Sequence, residues 1–353
     1  VAESTYEIVR WWRFFQQVSQ DAPLTDRYAR IFVAYLLYSN QEVPDWLAPD
    51  SKARHVIYES LQKTDWSRKI KESIPDWMDE WGERELGKAV WEKELHALNQ
   101  QASVFLRVNT IKTSTEKLLS QLLEKQIHVV PLPKKKEGLL LQKRQNMASL
   151  EEYQKGLFEI QDKGSQEIAP FLQVQKGMRV IDACAGGGGK TLHLAALMQN
   201  QGHIHAMDVE TKKLSNLRER AKRAGATIIH TDLINDQILL QHEGFADRLL
   251  LDVPCTGSGV LKRKPDTKWK SSLEEWAKIR DTQAHILDSY SSMLKKGGEM
   301  VYATCSLFPS ENQGQIVRFL EKQGTNYSLL EERHIWPSEG GDGYYMARLR
   351  KNS

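Results

Sequence analysis

From residue 157 onward, short apolar runs alternate with helical segments, and that alternation restricts the fold more than any other feature of the chain. Residues 178–183, 203–208, 227–230, 248–253 and 299–304 read as strands. Segments near Tyr327 and over 344–350 are candidates to close the sheet. A helix from Thr191 and a charged helix over 212–224 lie between them. Strands joined through helices pair in parallel with right-handed crossovers, so the expected class is α/β. In such a sheet the ligand lies beyond the carboxyl ends of the strands, at the switch in strand order.

The preceding residues have two other textures. Residues 1–98 read as a helical domain, with apolar side chains at helical spacing through Ile8, Trp11, Trp12 and Phe15 and again through Ile31, Phe32, Tyr35 and Leu36. Seven of the ten tryptophans fall here, which suits the core of a small bundle; aromatic platforms for bases are the alternative. Residues 99–154 read as a small α/β domain, with strands over 104–109, 127–132 and 138–141 and a helix over 114–125. Pro131, Pro133 and the triplet Lys134, Lys135 and Lys136 mark a turn; with Lys143 and Arg144 nearby it is either solvated or a phosphate-contacting patch. The third domain is then 155–353.

Composition excludes several classes. Three cysteines (Cys184, Cys255, Cys305), widely spaced and without a C-x-x-C pair, argue against a disulfide framework or a zinc site and for a reducing, cytoplasmic setting without a metal. No run approaches the ~18 apolar residues that span a membrane. Residues 1–10 lack the pattern of a signal peptide. A formal charge of +3 says little about partners beyond allowing a local cationic surface. A monomer is expected.

The first strand runs into Asp182, Ala183, Cys184, Ala185, then Gly186, Gly187, Gly188 and Gly189, then Lys190 and Thr191. Consecutive glycines admit a ligand close to the backbone, and the helix that follows offers free N–H groups. A phosphate-binding loop would need glycine where Cys184 stands. A dinucleotide fingerprint starting at Gly186 would need glycine where Thr191 stands. A nucleoside ligand without a pyrophosphate remains, and S-adenosylmethionine is the obvious candidate. Asp208 ends the second strand, where a carboxylate accepts from both ribose hydroxyls. Asp232 follows the third and suits an adenine amino group. Asp252 ends the fourth, where the methionine end and a target would meet. Each aspartate alone is as well explained as a turn residue; three at successive strand ends beside a glycine turn are not.

Cys255 follows the fourth strand and Cys305 ends the next, so neighbouring strands would bring both thiols to one cleft. A cysteine is usually a small buried apolar group, but these stand in turns beside Pro254, Thr256, Thr304 and Ser306. A thiol there suits methylation of cytosine at carbon 5. Attack at carbon 6, with ring nitrogen 3 hydrogen-bonded to an acid, makes carbon 5 nucleophilic, and a second thiol can assist release. The thiolate needs a lowered pKa, for which Lys190 or a neighbouring sulfonium would supply positive charge.

At these residues the chain resembles the RsmB/Nop2/Sun family of S-adenosylmethionine-dependent RNA 5-methylcytosine methyltransferases. The resemblance rests on Asp-Val-Pro-Cys-Thr-Gly-Ser-Gly at 252–259 and Tyr-Ala-Thr-Cys-Ser-Leu-Phe-Pro-Ser-Glu-Asn at 302–312. The glycine turn, Leu-Arg-Val-Asn-Thr at 106–110, the stretch 158–166 and Gly-Asp-Gly-Tyr-Tyr at 341–345 reinforce it. It implies a Rossmann-like seven-stranded class I methyltransferase sheet preceded by a small RNA-recognition-like α/β domain. It further implies that Cys305 is the nucleophile, that Cys255 promotes product release and that Asp252 contacts the cytosine. The cofactor site would be lined by residues 184–190 with Asp208, Asp232 and Asp252. The family's turn usually reads Cys-Ala-Ala-Pro-Gly-Gly-Lys; here Gly186 and Gly187 replace Ala-Pro, which makes the loop more flexible.

RNA as the partner follows from the resemblance, with ribosomal RNA expected and transfer RNA the alternative. A cytosine inside a duplex cannot offer carbon 6, so the target must be flipped out or unpaired. The stretch 262–270, with Lys262, Arg263, Lys264, Lys268, Lys270 and Trp269, is expected to reach RNA if it is exposed. Rival readings are a non-catalytic RNA-binding assembly factor, a nicotinamide-dependent oxidoreductase using Asp208, and methylation of uracil.

Overall fold

The computed structural model describes residues 2–48, 50–133 and 135–352, so Lys134 of the lysine triplet lies outside the described residues. The chain forms two compact units. One comprises residues up to 101 together with 261–273; the other comprises 102–260 with 274 onward.

The first unit is helical. Aspartates start two of its helices: Asp26 accepts from Ala29 N at 2.8 Å before Arg27–Tyr38, and Asp50 accepts from Lys52 N at 2.8 Å before Ser51–Leu61. Phe15, Val33, Ala34 and Ile57 are fully buried in its core. Trp91 is also fully buried, with its indole N–H donated to Asp79 Oδ1 at 2.9 Å, whereas Trp46 is exposed. Tryptophan is thus mainly a packing residue here.

Only part of the stretch 262–270 packs into this unit, which narrows its reading as an RNA-facing patch to Lys264 and Lys270, the two cations that stay exposed. Lys262 and Lys268 are buried, and Trp269 donates its indole N–H to Val9 O at 2.7 Å. Lys268 Nζ lies 2.6 Å from Asn99 Oδ1, 3.2 Å from Ser73 O and 3.3 Å from Arg10 O. No carboxylate is within hydrogen-bond reach of Lys268 among the described residues, and burial pushes its ammonium down to about 7.

The second unit holds two sheets. The smaller contains β1 (Phe105–Val108), β2 (Val129–Pro131), β3 (Gly138–Leu141) and β4 (Phe158–Ile160), antiparallel, in the order β2-β3-β1-β4. Helix Thr115–Glu124, capped by Ser114, buries Leu118 and Leu122 against Leu106, Leu139 and Phe158.

The larger sheet contains β5 (Arg179–Asp182), β6 (His203–Asp208), β7 (Ile229–Leu233), β8 (Ala246–Asp252), β9 (Leu294–Thr304), β10 (Tyr327–Ile335) and β11 (Tyr344–Lys351). Its order is β10-β11-β9-β8-β5-β6-β7, and only β11 runs against its neighbours. Side chains alternate between two cores: Leu250 and Val301 pack on one face, Leu249, Leu251, Met300 and Tyr302 on the other. This is the Rossmann-like methyltransferase sheet. Its switch point lies where β5 parts from β8, and the carboxyl ends there carry the functional side chains. Among the described residues no helix is long and apolar enough to cross a membrane.

Candidate active site

The glycine loop leaves β5 at Asp182, whose carboxyl is buried and accepts from Thr191 Oγ1 at 2.7 Å. Burial raises that carboxyl to about 7. Despite four consecutive glycines the loop is tied down. Ala185 N donates to Met207 O at 2.9 Å, Gly188 N to Ala185 O at 2.9 Å, and Gly186 N to Asp208 Oδ2 at 2.9 Å. Gly186 and Gly188 have φ of +53° and +83°, conformations that favour glycine, whereas Gly187, which stands where the proline would be, has no positive φ.

Below this loop opens a cavity of ≈ 460 Å³. Of the residues singled out from the sequence, Cys184, Gly186, Asp208 and Asp252 line it. Sequence reasoning missed its other walls: Val209 and Glu210 after β6, and Thr282, His285, Ile286 and Tyr290 from helix Leu273–Tyr290. The helix buries Trp276, Gln283, Ile286, Leu287 and Tyr290, and its apolar spacing gives no sign that exposed Thr282 and His285 also face a cavity. Asp208 receives N–H bonds from Gly186 and Glu210, the latter at 2.9 Å, and a carboxylate has further lone pairs for hydroxyl donors. Burial, with Asp182, Asp252 and Asp208 around it, pushes the Cys184 thiol up and keeps it neutral.

Lys190, in the first turn of helix Gly189–Leu197, places Nζ 2.6 Å from Asp252 Oδ2 at the end of β8. Burial alone would lower the ammonium; the Asp252 carboxylate outweighs it, helped by the Cys305 sulfur and Asp182, and holds Lys190 above its ordinary value. Its charge is thus shared between Asp252 and the cysteine region.

Cys255 and Cys305 follow the adjacent parallel strands β8 and β9, and their sulfurs stand 3.2 Å apart as free thiols. Cys305 N also donates to Cys255 Sγ at 3.3 Å. The contact with Cys305, then burial, then the charge of Glu311 push the Cys255 thiol well up. Neither sulfur is among the cavity's lining residues. Asp252 is the group that both faces the cavity and pairs with Lys190.

Asp232 is not on that wall. It lies within β7 rather than beyond it, and its Oδ2 meets His205 Nδ1 at 2.9 Å, across to β6. β7 is an edge strand without a continuous apolar run, so its limits were displaced in the sequence reading.

The remaining motif residues dock the small sheet on the large one. Buried Arg107 donates to Gly189 O at 2.7 Å and to Gln161 Oε1, while Asn109 Nδ2 donates to Gly156 O and Ala224 O, each at 2.8 Å. Lys135 pairs with Glu167 at 2.8 Å.

Residues 169–350 match the family described as 16S rRNA methyltransferase RsmB/F. Residues 74–148 match the ferredoxin-like domain of RsmF/B-like methyltransferases. The chain is 36% identical over 302 residues to a probable ribosomal RNA small subunit methyltransferase B of Synechocystis, covering 79% of this chain and 67% of that protein. It is 33% identical over 270 residues to ribosomal RNA small subunit methyltransferase B of Photorhabdus laumondii, covering 74% and 62%. The chain therefore spans 62–67% of the length of these relatives. A solved methyltransferase homolog protein from Pyrococcus horikoshii superposes with a TM-score of 0.69 at 28% identity, over 80% of this chain and 97% of that one. On the extent of these matches, the chain belongs to the RsmB/F family of rRNA methyltransferases.

Proposed function

We propose that the chain transfers a methyl group from S-adenosylmethionine to carbon 5 of a cytosine in RNA, through a covalent adduct on Cys305. The observation that carries this reading is the pair of free thiols 3.2 Å apart at the ends of β8 and β9, beside Asp252 and Lys190. Two thiols so close, neither oxidised nor in a packed strand centre, suit a nucleophile and a partner that handles its departure.

Each residue has a role in the sequence of events. Asp208 and the Gly186 backbone hold the nucleoside end of the donor, and Ile286 and Val209 give its base an apolar wall. The donor supplies an electrophilic methyl group. The Cys305 thiolate attacks carbon 6 of an unpaired cytosine while ring nitrogen 3 takes up a proton and is held through that N–H by the Asp252 carboxylate; the nitrogen 3 proton is given up again when the adduct collapses. The electron pair displaced onto the ring makes carbon 5 nucleophilic. After transfer the carbon 5 proton leaves to a base, the carbon–sulfur bond breaks and Cys305 departs as thiolate. Cys255 assists that release. Lys190 holds Asp252 in place and supplies positive charge beside the cysteine pair.

Ribosomal RNA is the proposed substrate, since the relatives are named for small-subunit ribosomal RNA; transfer RNA is the alternative. The test is methyl transfer by the purified chain to small-subunit RNA, read by nucleoside mass spectrometry and placed by bisulfite sequencing. 5-Methylcytosine with the parent chain and none with Cys305→Ala supports the proposal. RNA binding without methylation would favour an assembly factor.

A further inference from the structure

The reaction outlined above leaves one buried charge between the cysteine loops without a task. Glu311 stands in the short turn Pro309–Glu311 after β9 and is 1% exposed. Its Oε2 accepts from Thr256 N at 2.9 Å and from Gln283 Nε2 at 2.9 Å. Its Oε1 accepts from Thr256 Oγ1 at 2.5 Å and from Ser306 Oγ at 2.5 Å. Thr256 follows Cys255 and Ser306 follows Cys305, so one carboxylate grips the next residue of both cysteines. Gln283 Nε2 also donates to Pro254 O at 2.9 Å, on the other side of Cys255. The neighbouring residue completes the clamp: Asn312 accepts from Thr304 Oγ1 at 2.6 Å and donates to Ser306 O at 3.0 Å.

Among the described residues no lysine or arginine forms a salt bridge with Glu311; four neutral donors satisfy it. A buried carboxylate is a costly way to join two loops, and neutral groups would do so with less desolvation. What neutral groups lack is a charge. Hydrogen bonds to an ionised acceptor are short and strong, which suits holding two sulfurs in contact. An anion also opposes a second anion nearby, and after the contact with Cys305 and burial the Glu311 charge helps push the Cys255 thiol up.

We infer that Glu311 is a positioning residue for the cysteine pair: bonded to Thr256 and Ser306, it sets the two sulfurs against each other and makes them unequal, with Cys305 the one free to attack. This deepens the reading of Cys305 as nucleophile and rests on it.

The test reads the thiols without RNA or donor, so it is separate from the identity of the methylated base. Alkylation of the full chain by iodoacetamide is followed against pH, with each cysteine resolved by peptide mass spectrometry. In the parent chain Cys305 is expected to react at lower pH than Cys255. Glu311→Gln is expected to bring the Cys255 profile down by about one pH unit, toward that of Cys305. Glu311→Asp keeps the charge and is expected to keep the order. With donor and RNA, Glu311→Gln is expected to lower kcat about tenfold or more while KM for S-adenosylmethionine stays within about twofold. If Glu311→Gln does not fold, Gln283→Leu removes one donor and keeps the charge; kcat should fall and the alkylation order should stand. An unchanged order in folded Glu311→Gln, or an unchanged kcat in Gln283→Leu, overturns the inference. Ordered thiols in a parent chain that makes no 5-methylcytosine would sink the proposed reaction, and with it the purpose of the clamp, while the inequality that Glu311 sets between the two thiols would stand.

Discussion

The Lys190 ammonium lies 2.6 Å from the Asp252 carboxylate, joining the helix after the glycine loop to the end of β8. The pair is partly buried, and each group would be costly to leave there alone. Lys190→Met leaves Asp252 as an unpaired anion and removes the cation beside Cys305. Methyl transfer is expected to fall by about 10²-fold or more, chiefly in kcat. Steady-state kinetics with saturating donor checks this; a change confined to KM would remove Lys190 from the chemistry.

Two glycines of the cofactor loop are predicted to differ. At Gly188 φ is +83° and an added Cβ would stand 2.6 Å from Leu217 Cγ, so both backbone and packing resist a side chain. At Gly186 φ is +53° but the space is open. Gly188→Ala is expected to lose about 2–3 kcal/mol of stability, and Gly186→Ala about 1 kcal/mol from backbone strain alone. Urea unfolding of both variants checks the order, and equal losses would show that the loop repacks.

Lys268 makes the helical unit sensitive to pH. Its folded value of about 7 lies below the ordinary lysine value of 10.5, so the unfolded chain binds more protons between them and stability rises with pH across that window. The favourable contribution is complete above the unfolded value and is lost as pH falls through about 7. Arg10 pushes the ammonium down after burial does, and Glu72 and Glu7 oppose that. Lys268→Met should flatten this slope and leave the unit at least as stable at neutral pH. Thermal unfolding at pH 7 and pH 9 checks it, and an equal slope in the variant would contradict it.

Legibility followed chemistry that leaves a periodic trace. The stretch 114–125 reads as a helix and 203–208 as a strand, and helix Thr115–Glu124 and β6 stand there. Cys255 and Cys305 were legible as neighbours because a helical crossover, chiefly Leu273–Tyr290, joins their strands. Lys268 was not, because a lysine-rich stretch looks the same whether its ammonium meets water or the oxygens of Ser73 and Asn99. Glu311 was hidden for a similar reason: a glutamate in a turn gives no sign that four donors converge on it. Asp232 was misplaced because β7 alternates with polar residues at an edge, where hydrophobic patterning is weakest.

In the proposed reaction it is the Cys305 sulfur that bonds to the base. Cys255→Ala and Cys305→Ala are incubated with donor and small-subunit RNA, then denatured and resolved by electrophoresis. The account predicts a denaturant-resistant protein–RNA band in Cys255→Ala, where the adduct forms but is released poorly, and none in Cys305→Ala. A band in Cys305→Ala, or none in either variant, would contradict it.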